Sequence, residues 1–189
     1  MKKLIVILAI LLLGCGGHAL KFGQQVTKFR SQPTSLSEDE VKAMLKKHDF
    51  FDSDWNPNGR GFDNKFDFQI IKGDTIVIDR ASNLMWQHGG SPNMIGFEFT
   101  DRWIRELNQK GYAGFHDWRL PTLEEAMTLV EPLRFHIDPV FDIKQSWIWT
   151  CDLIHGNGVM CMINFGRGNC ETLVFAAMPG SIRAVRSVL

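Results

Sequence analysis

The chain has 189 residues, 44% of them hydrophobic and 22% charged, a balance that supports one packed domain with a short appendage and excludes global disorder. Lys plus Arg and Asp plus Glu both number 21, which excludes a nucleic-acid binder that relies on bulk positive charge. Six Trp and 14 Phe stand against one Tyr, so aromatic packing supplies much of the core.

Met1, Lys2 and Lys3 form a basic head, and residues 4–13 are unbroken apolar. Such a stretch spans about 15 Å as a helix, half a bilayer core. It reads as a secretory signal rather than a membrane-spanning helix. Leu12-Leu13-Gly14-Cys15 resembles a bacterial lipobox. That pattern implies a signal peptide over residues 1–14 and a diacylglycerol on the Cys15 thiol, so the first expected partner is a membrane. Gly16, not Asp, follows Cys15, which directs the expectation to the outer membrane of the cell envelope, on its periplasmic or surface face. Removal of residues 1–14 takes away Lys2 and Lys3 and no acid, leaving 19 basic against 21 acidic side chains, a net charge of −2.

Residues 15–35 carry Gly, Gln, Ser, Thr and Pro with little apolar period and read as a flexible tether. Residues 36–65 read as a helix and a polar loop. Ser37 and Glu40 make a capping box, and Val41, Met44, Leu45 and His48 share one helix face. From residue 66 the period becomes two: Phe66, Phe68 and Ile70 open a hairpin that turns at Gly73 and Asp74 and returns through residues 75–79. Residues 84–87 read as another strand. Phe99, Trp103 and Leu107 predict a helix over residues 97–110, stopped at Gly111. Thr122 and Glu125 form a second capping box, whose helix Pro132 closes. Strands return at residues 146–152, 158–165 and 181–188. The predicted class is α+β, with antiparallel strands and two helices in a domain over residues 66–189.

Several motifs then occur in order: Trp86 and Gln87, His116-Asp117-Trp118-Arg119-Leu120-Pro121-Thr122, Trp147 to Thr150, Gly166-Arg167-Gly168 and Arg183-Ala184-Val185-Arg186. In these the chain resembles the Lcl C-terminal domain family. The resemblance implies a C-type-lectin-like fold related to the sulfatase-modifying, formylglycine-generating enzymes. It also implies kinship with the C-terminal part of a collagen-like bacterial surface adhesin that binds glycosaminoglycans. This chain has no collagen repeat and no basic surplus, so fold transfers better than ligand.

Within the resemblance, Asp117 and Arg119 admit two readings, as ligand contacts or as a structural staple. In the second, Arg119 pairs with a buried acid, and Pro121 and Thr122 start a helix. Trp86, Trp118, Trp147 and Trp149 are expected to share one core. Asn157, Asn164, Arg167 and Asn169 cluster among glycines and are the candidate ligand contacts, although turn geometry alone also accounts for each. Asp54, Asn56, Asn58 and Gly59 fit the first half of an EF-hand loop, but Lys65 stands where a bidentate Glu is needed. Export favours thiol oxidation, and a Cys151–Cys161 disulfide is expected across the turn at residues 156–158, with Cys170 in a Gly-rich loop. No Cys or His spacing calls for a metal, and no cofactor is expected. The functional expectation is a lipid-anchored envelope protein that binds a glycan or another protein. The alternatives are an enzyme on the sulfatase-modifying scaffold and a purely structural envelope component. The mature protein should carry lipid on Cys15 and partition into detergent, and Cys15→Ala should be released or left unprocessed. A soluble wild-type protein starting at Lys21 would contradict this.

Overall fold

The computed structural model describes residues 26–133, 136–155, 159–174 and 178–188. Its elements are β1 (Ser35–Leu36), α1 (Glu38–Lys47), β2 (Phe66–Ile71), β3 (Asp74–Asp79), β4 (Leu84–Gln87), α2 (Thr100–Lys110), α3 (Leu123–Met127), β5 (Trp147–Ile154), β6 (Val159–Asn164), β7 (Asn169–Val174) and β8 (Val185–Ser187). A single 3-10 turn, Phe97–Phe99, leads into α2. The class is α+β, as the sequence predicts.

Two four-stranded sheets make the body. One runs β2-β3-β4-β8 and is antiparallel. The other runs β1-β5-β6-β7, with only β1 parallel to its neighbour. The inner strands β4 and β6 are buried on both faces because both faces are covered. Val77, Leu84 and Trp86 point into a central cluster with Cys161, Ile163 and the buried residues of α1 and α3. Ile76 and Met85 point the other way, to Leu107 and Trp118. Met160 and Met162 point away from the centre to Trp149 and Leu120. Helix α2 bridges the two outer clusters, since Trp103 and Ile104 pack against both. The expectation of a single tryptophan core is therefore corrected. Trp86, Trp118 and Trp149 are each buried in a different cluster, and Trp147 lies half-buried beside Trp149. The side-chain alternation of pleated strands separates them.

Both capping boxes form. Ser37 accepts from the Glu40 amide and Thr122 from the Glu125 amide, with each Glu reaching back to its cap. Helix α2 ends at Gly111, whose φ of 66° is the left-handed geometry of a C-cap. Helix α3 stops at Met127, earlier than Pro132 predicts, because i→i+3 turns follow and Asn64 takes the Thr128 carbonyl at 2.7 Å. The hairpin turns one residue earlier than read, at Lys72 and Gly73, both with positive φ. Cys170 lies in strand β7, not in a loop; every residue of this strand that faces β6 continues the ladder from Val159↔Val174 to Asn164↔Asn169.

Residues 26–36 are not a free tether. Arg30 lays both terminal nitrogens on the Asp152 carboxylate at 2.9 and 2.7 Å. The same carboxylate accepts from the amides of Thr34 at 2.8 Å and Leu123 at 2.7 Å. Thr27 donates to Ala81, and β1 joins β5 in parallel. The segment lacks apolar period because a charge pair and backbone bonds hold it.

Thr122 also donates its hydroxyl to the Arg30 carbonyl at 2.8 Å, so its loss removes more than a cap. Thr122→Ala should cost about 2 kcal/mol, and the exposed cap variant Ser37→Ala about 1 kcal/mol or less. Urea unfolding of the two variants checks the order.

Candidate functional site

The Asp117–Thr122 motif is a staple for the C-terminal strand. Asp117 takes the Arg186 guanidinium at 2.7 and 3.1 Å, which holds the Asp117 carboxyl below its ordinary pKa. Arg186 itself lies 4.0 Å from the Phe115 ring centre. Trp118 is buried and donates its indole N–H to the Tyr112 carbonyl at 3.0 Å. Arg119 exchanges backbone hydrogen bonds with Val185. Its guanidinium grips Glu125, a buried acid, through two bonds of 2.7 and 2.6 Å. Pro121 accepts the Cys151 amide at 2.8 Å. These contacts give the motif's polar atoms partners within the protein.

Arg183, the first residue of the closing motif, is wholly buried and makes no ion pair among the described residues. It donates to the carbonyls of Gln87, His88 and Asp142 and to the Gln145 side chain. Burial lowers its pKa to about 10.

The cluster read from the glycine-rich loop is brought together, but around Asp54. Asn164 and Asn169 are buried. The Asn164 carbonyl oxygen accepts the amides of Gly166 and Arg167 at 2.9 and 3.2 Å, and its NH2 donates to Glu171. Asn169 donates to Asp54 at 2.8 Å, and exposed Arg167 reaches Asp54 and Glu171 at 3.4 Å. Asn164 and Asn169 thus form a turn that closes on the loop after α1, with the buried Asn169 Oδ1 lacking a hydrogen-bond partner among the described residues. Asn157 lies outside the described residues, as does Cys15. In the EF-hand-like loop Asn56 turns away to the Phe50 carbonyl at 2.8 Å, so its side chain does not converge with Asp54.

The expected Cys151–Cys161 bridge is corrected: both thiols are free, as is that of Cys170. Between Trp149↔Met162 and Leu153↔Met160 the register of β5 slips. Alternation along β5, with Ile148 inward and Trp149 outward, puts Asp152 inward to Arg30 and Cys151 on the outer side, while Cys161 faces the central cluster. Burial pushes the Cys151 and Cys161 thiols up from 9.0 to about 12, and Cys170 is also raised by burial.

Two of the concavities of the described surface lie elsewhere, on either side of α2. Phe99, Arg102, Trp103, Glu106 and Lys110 recur at helical spacing and form one stripe. On one side this stripe faces Met94, Ile95 and Gly96 across a groove of about 390 Å³. On the other it faces Gln87, Gly90 and Pro92 across one of about 300 Å³. Trp103 and Glu106 line both. Met94 and Phe99 are 49% and 45% exposed, and the Arg102 guanidinium carbon lies 5.2 Å from the Phe99 ring centre. The sequence reading placed Phe99 and Trp103 on the same core face as Leu107. Only Leu107 is buried there. The signal was the interleaving of Arg102 and Glu106 with the aromatics, on a helix whose stripe turns from core to surface.

Comparison with families of known domains matches residues 75–186 to the Lcl C-terminal domain. The chain belongs to this family. The match covers more than half of the sequence, from β3 to the closing Arg186. The motif before α3 and the Arg183–Arg186 motif therefore both fall inside the Lcl C-terminal domain. No curated protein and no solved structure matches the chain.

Because the unfolded thiols titrate near 9 and the folded ones near 12, the unfolded state loses protons first as pH rises. Stability should fall between pH 9 and 10, before Arg183, at about 10, begins to oppose the trend. Iodoacetamide at pH 8 should label residues 151, 161 and 170 slowly in the native protein and fully in urea. Fast native labelling would contradict the burial.

Proposed function

We propose that this member of the Lcl C-terminal domain family is a binding protein whose recognition site is the pair of grooves flanking α2. The observation that carries the reading is the half-buried Trp103 at the shared wall of both grooves. It stands beside exposed Phe99 and Met94 and between Arg102 and Glu106. An aromatic face with a few hydrogen-bonding groups of both signs suits a glycan ring or a short peptide, and a neutral to weakly polar glycan fits best. The net charge of −2 expected after signal removal argues against a sulfated polysaccharide held by counterion release. The C-type-lectin-like character implied by the resemblance belongs to the same proposal. So do the lipid on Cys15 and the place in the cell envelope, for which the support is the pattern of residues 1–16. The three thiols, kept protonated by burial, favour binding over thiol chemistry.

The test is a glycan screen that includes heparin, at low and high salt, followed by tryptophan-fluorescence titration. The reading predicts binding to an uncharged glycan with modest salt dependence. It also predicts affinity at least about tenfold weaker in Arg102→Ala and Glu106→Gln, a loss of some 1.4 kcal/mol. Both residues are exposed, so melting should not change. Heparin binding that vanishes with salt, or glycan binding indifferent to both substitutions, would overturn it.

A further inference from the structure

Strand β2 is the outer strand of its sheet. It pairs along all six residues with β3, and its other side has no strand partner among the described residues. The two-residue turn at Lys72 and Gly73 makes Ile71 and Asp74 the closing hydrogen-bonded pair. Alternation then points the backbone groups of Asp67, Gln69 and Ile71 at β3, and those of Phe66, Phe68 and Ile70 to the open edge. The same three residues carry apolar side chains on one face. Phe66 packs edge-on against Phe141 at 5.2 Å. Phe68 and Ile70 stay 45% and 66% exposed, and Phe68 lies edge-to-face with His88 at 5.2 Å.

Protected edges usually carry a proline, a lysine or a bulge. Residues 66–71 have no Pro or Lys, and their register with β3 is continuous. On the opposite face Asp67 is covered by Gln69 and Arg80.

We propose that β2 pairs antiparallel with β2 of a second copy of this chain, about a two-fold axis through Phe68, so that two four-stranded sheets become one of eight. In this register Phe68 faces its own copy and Phe66 faces the second copy's Ile70, so all three apolar residues are matched. These are also the residues whose backbone groups point outward, so each matched pair is hydrogen-bonded. On the polar face Asp67 lies opposite the second copy's Gln69, an amide that accepts a carboxylate as neighbour. Moving the axis to Asp67 would oppose two carboxylates, and moving it to Gln69 would set Phe66 against Lys72. The strand is self-complementary in one register only, and an isologous contact of this kind closes as a dimer instead of growing. That selects a second copy over an unrelated strand.

In a hydrogen-bonded antiparallel pair the Cα atoms lie about 5.5 Å apart, within disulfide reach. The full chain carrying Phe68→Cys, oxidised in its native membrane fraction or after purification, should give a disulfide-linked dimer on a non-reducing gel. Lys72→Cys, whose two copies fall at opposite ends of the paired strands, should give none. Adding Ile70→Lys to Phe68→Cys should reduce the dimer about tenfold by placing a charge in the pairing face. Since Ile70 is exposed, the melting temperature of that variant should equal that of Phe68→Cys alone. Absence of the Phe68→Cys dimer, or equal cross-linking from both positions, would overturn the proposal. Cross-linking of Phe68→Cys to a different protein would overturn the second copy as occupant.

Discussion

One buried carboxylate ties the parts of this domain together. Asp152 has no solvent exposure, and it accepts from the Arg30 guanidinium, the Thr34 amide and the first amide of α3. A lone carboxylate in that position would be costly to desolvate. Its four donors come from two separate segments, so the charge can stay buried only while both are docked against β5. The N-terminal segment, α3 and β5 are thereby fixed relative to each other. Alternation along β5 puts Asp152 on the inward face that Ile148 and Ile154 share.

The second pair of segments is held by the same type of contact at larger radius. Arg119 on Glu125 locks the motif to α3, and Arg186 on Asp117 locks β8 to the motif. The carboxylates of Glu125 and Asp152 thus flank the start of one short helix, where its unpaired amides and dipole favour negative charge. Helix α2 has no such charged anchor among the described residues; its Asn108 side chain exchanges hydrogen bonds with the Trp118 backbone. Trp103, Ile104 and Leu107 lying across the two outer clusters supply the rest of its seating, and this leaves its remaining stripe open as groove wall. A rigid frame with one helix seated by apolar contact is a reasonable platform for recognition, since the walls are fixed and only the lining side chains adapt.

Local signals were legible in the sequence where they are local in fact. The two capping boxes, Gly111 and the period-two run from Phe66 each depend on residues within a few positions, and each produced the element expected. Strand β7 was missed because Asn169 and the glycines before it read as loop, while pairing with β6 decides its conformation. The tryptophans were assigned to one core because spacing shows that a residue is buried, not on which side of a curled sheet it lies. The Cys151–Cys161 expectation failed on register: Trp149 pairs with Met162, which puts Cys151 and Cys161 on opposite faces of the sheet. The Arg30–Asp152 pair joins positions 122 apart, so a polar, apparently slack segment gave no hint of being docked. The groove was overlooked for a related reason: Trp103 matches a core period and is half core, and its exposed side follows only from how α2 crosses the two sheets.

The most direct test of the role given to Asp152 is amide hydrogen exchange in the isosteric variant Asp152→Asn, resolved at Thr34 and Leu123. Loss of the charge should weaken the Arg30 grip and both amide bonds at once. Exchange at Thr34 and Leu123 should then accelerate together, while the β2–β3 hairpin keeps its wild-type protection. Retention of wild-type protection at both amides would show that the segments are held independently, and would contradict the account.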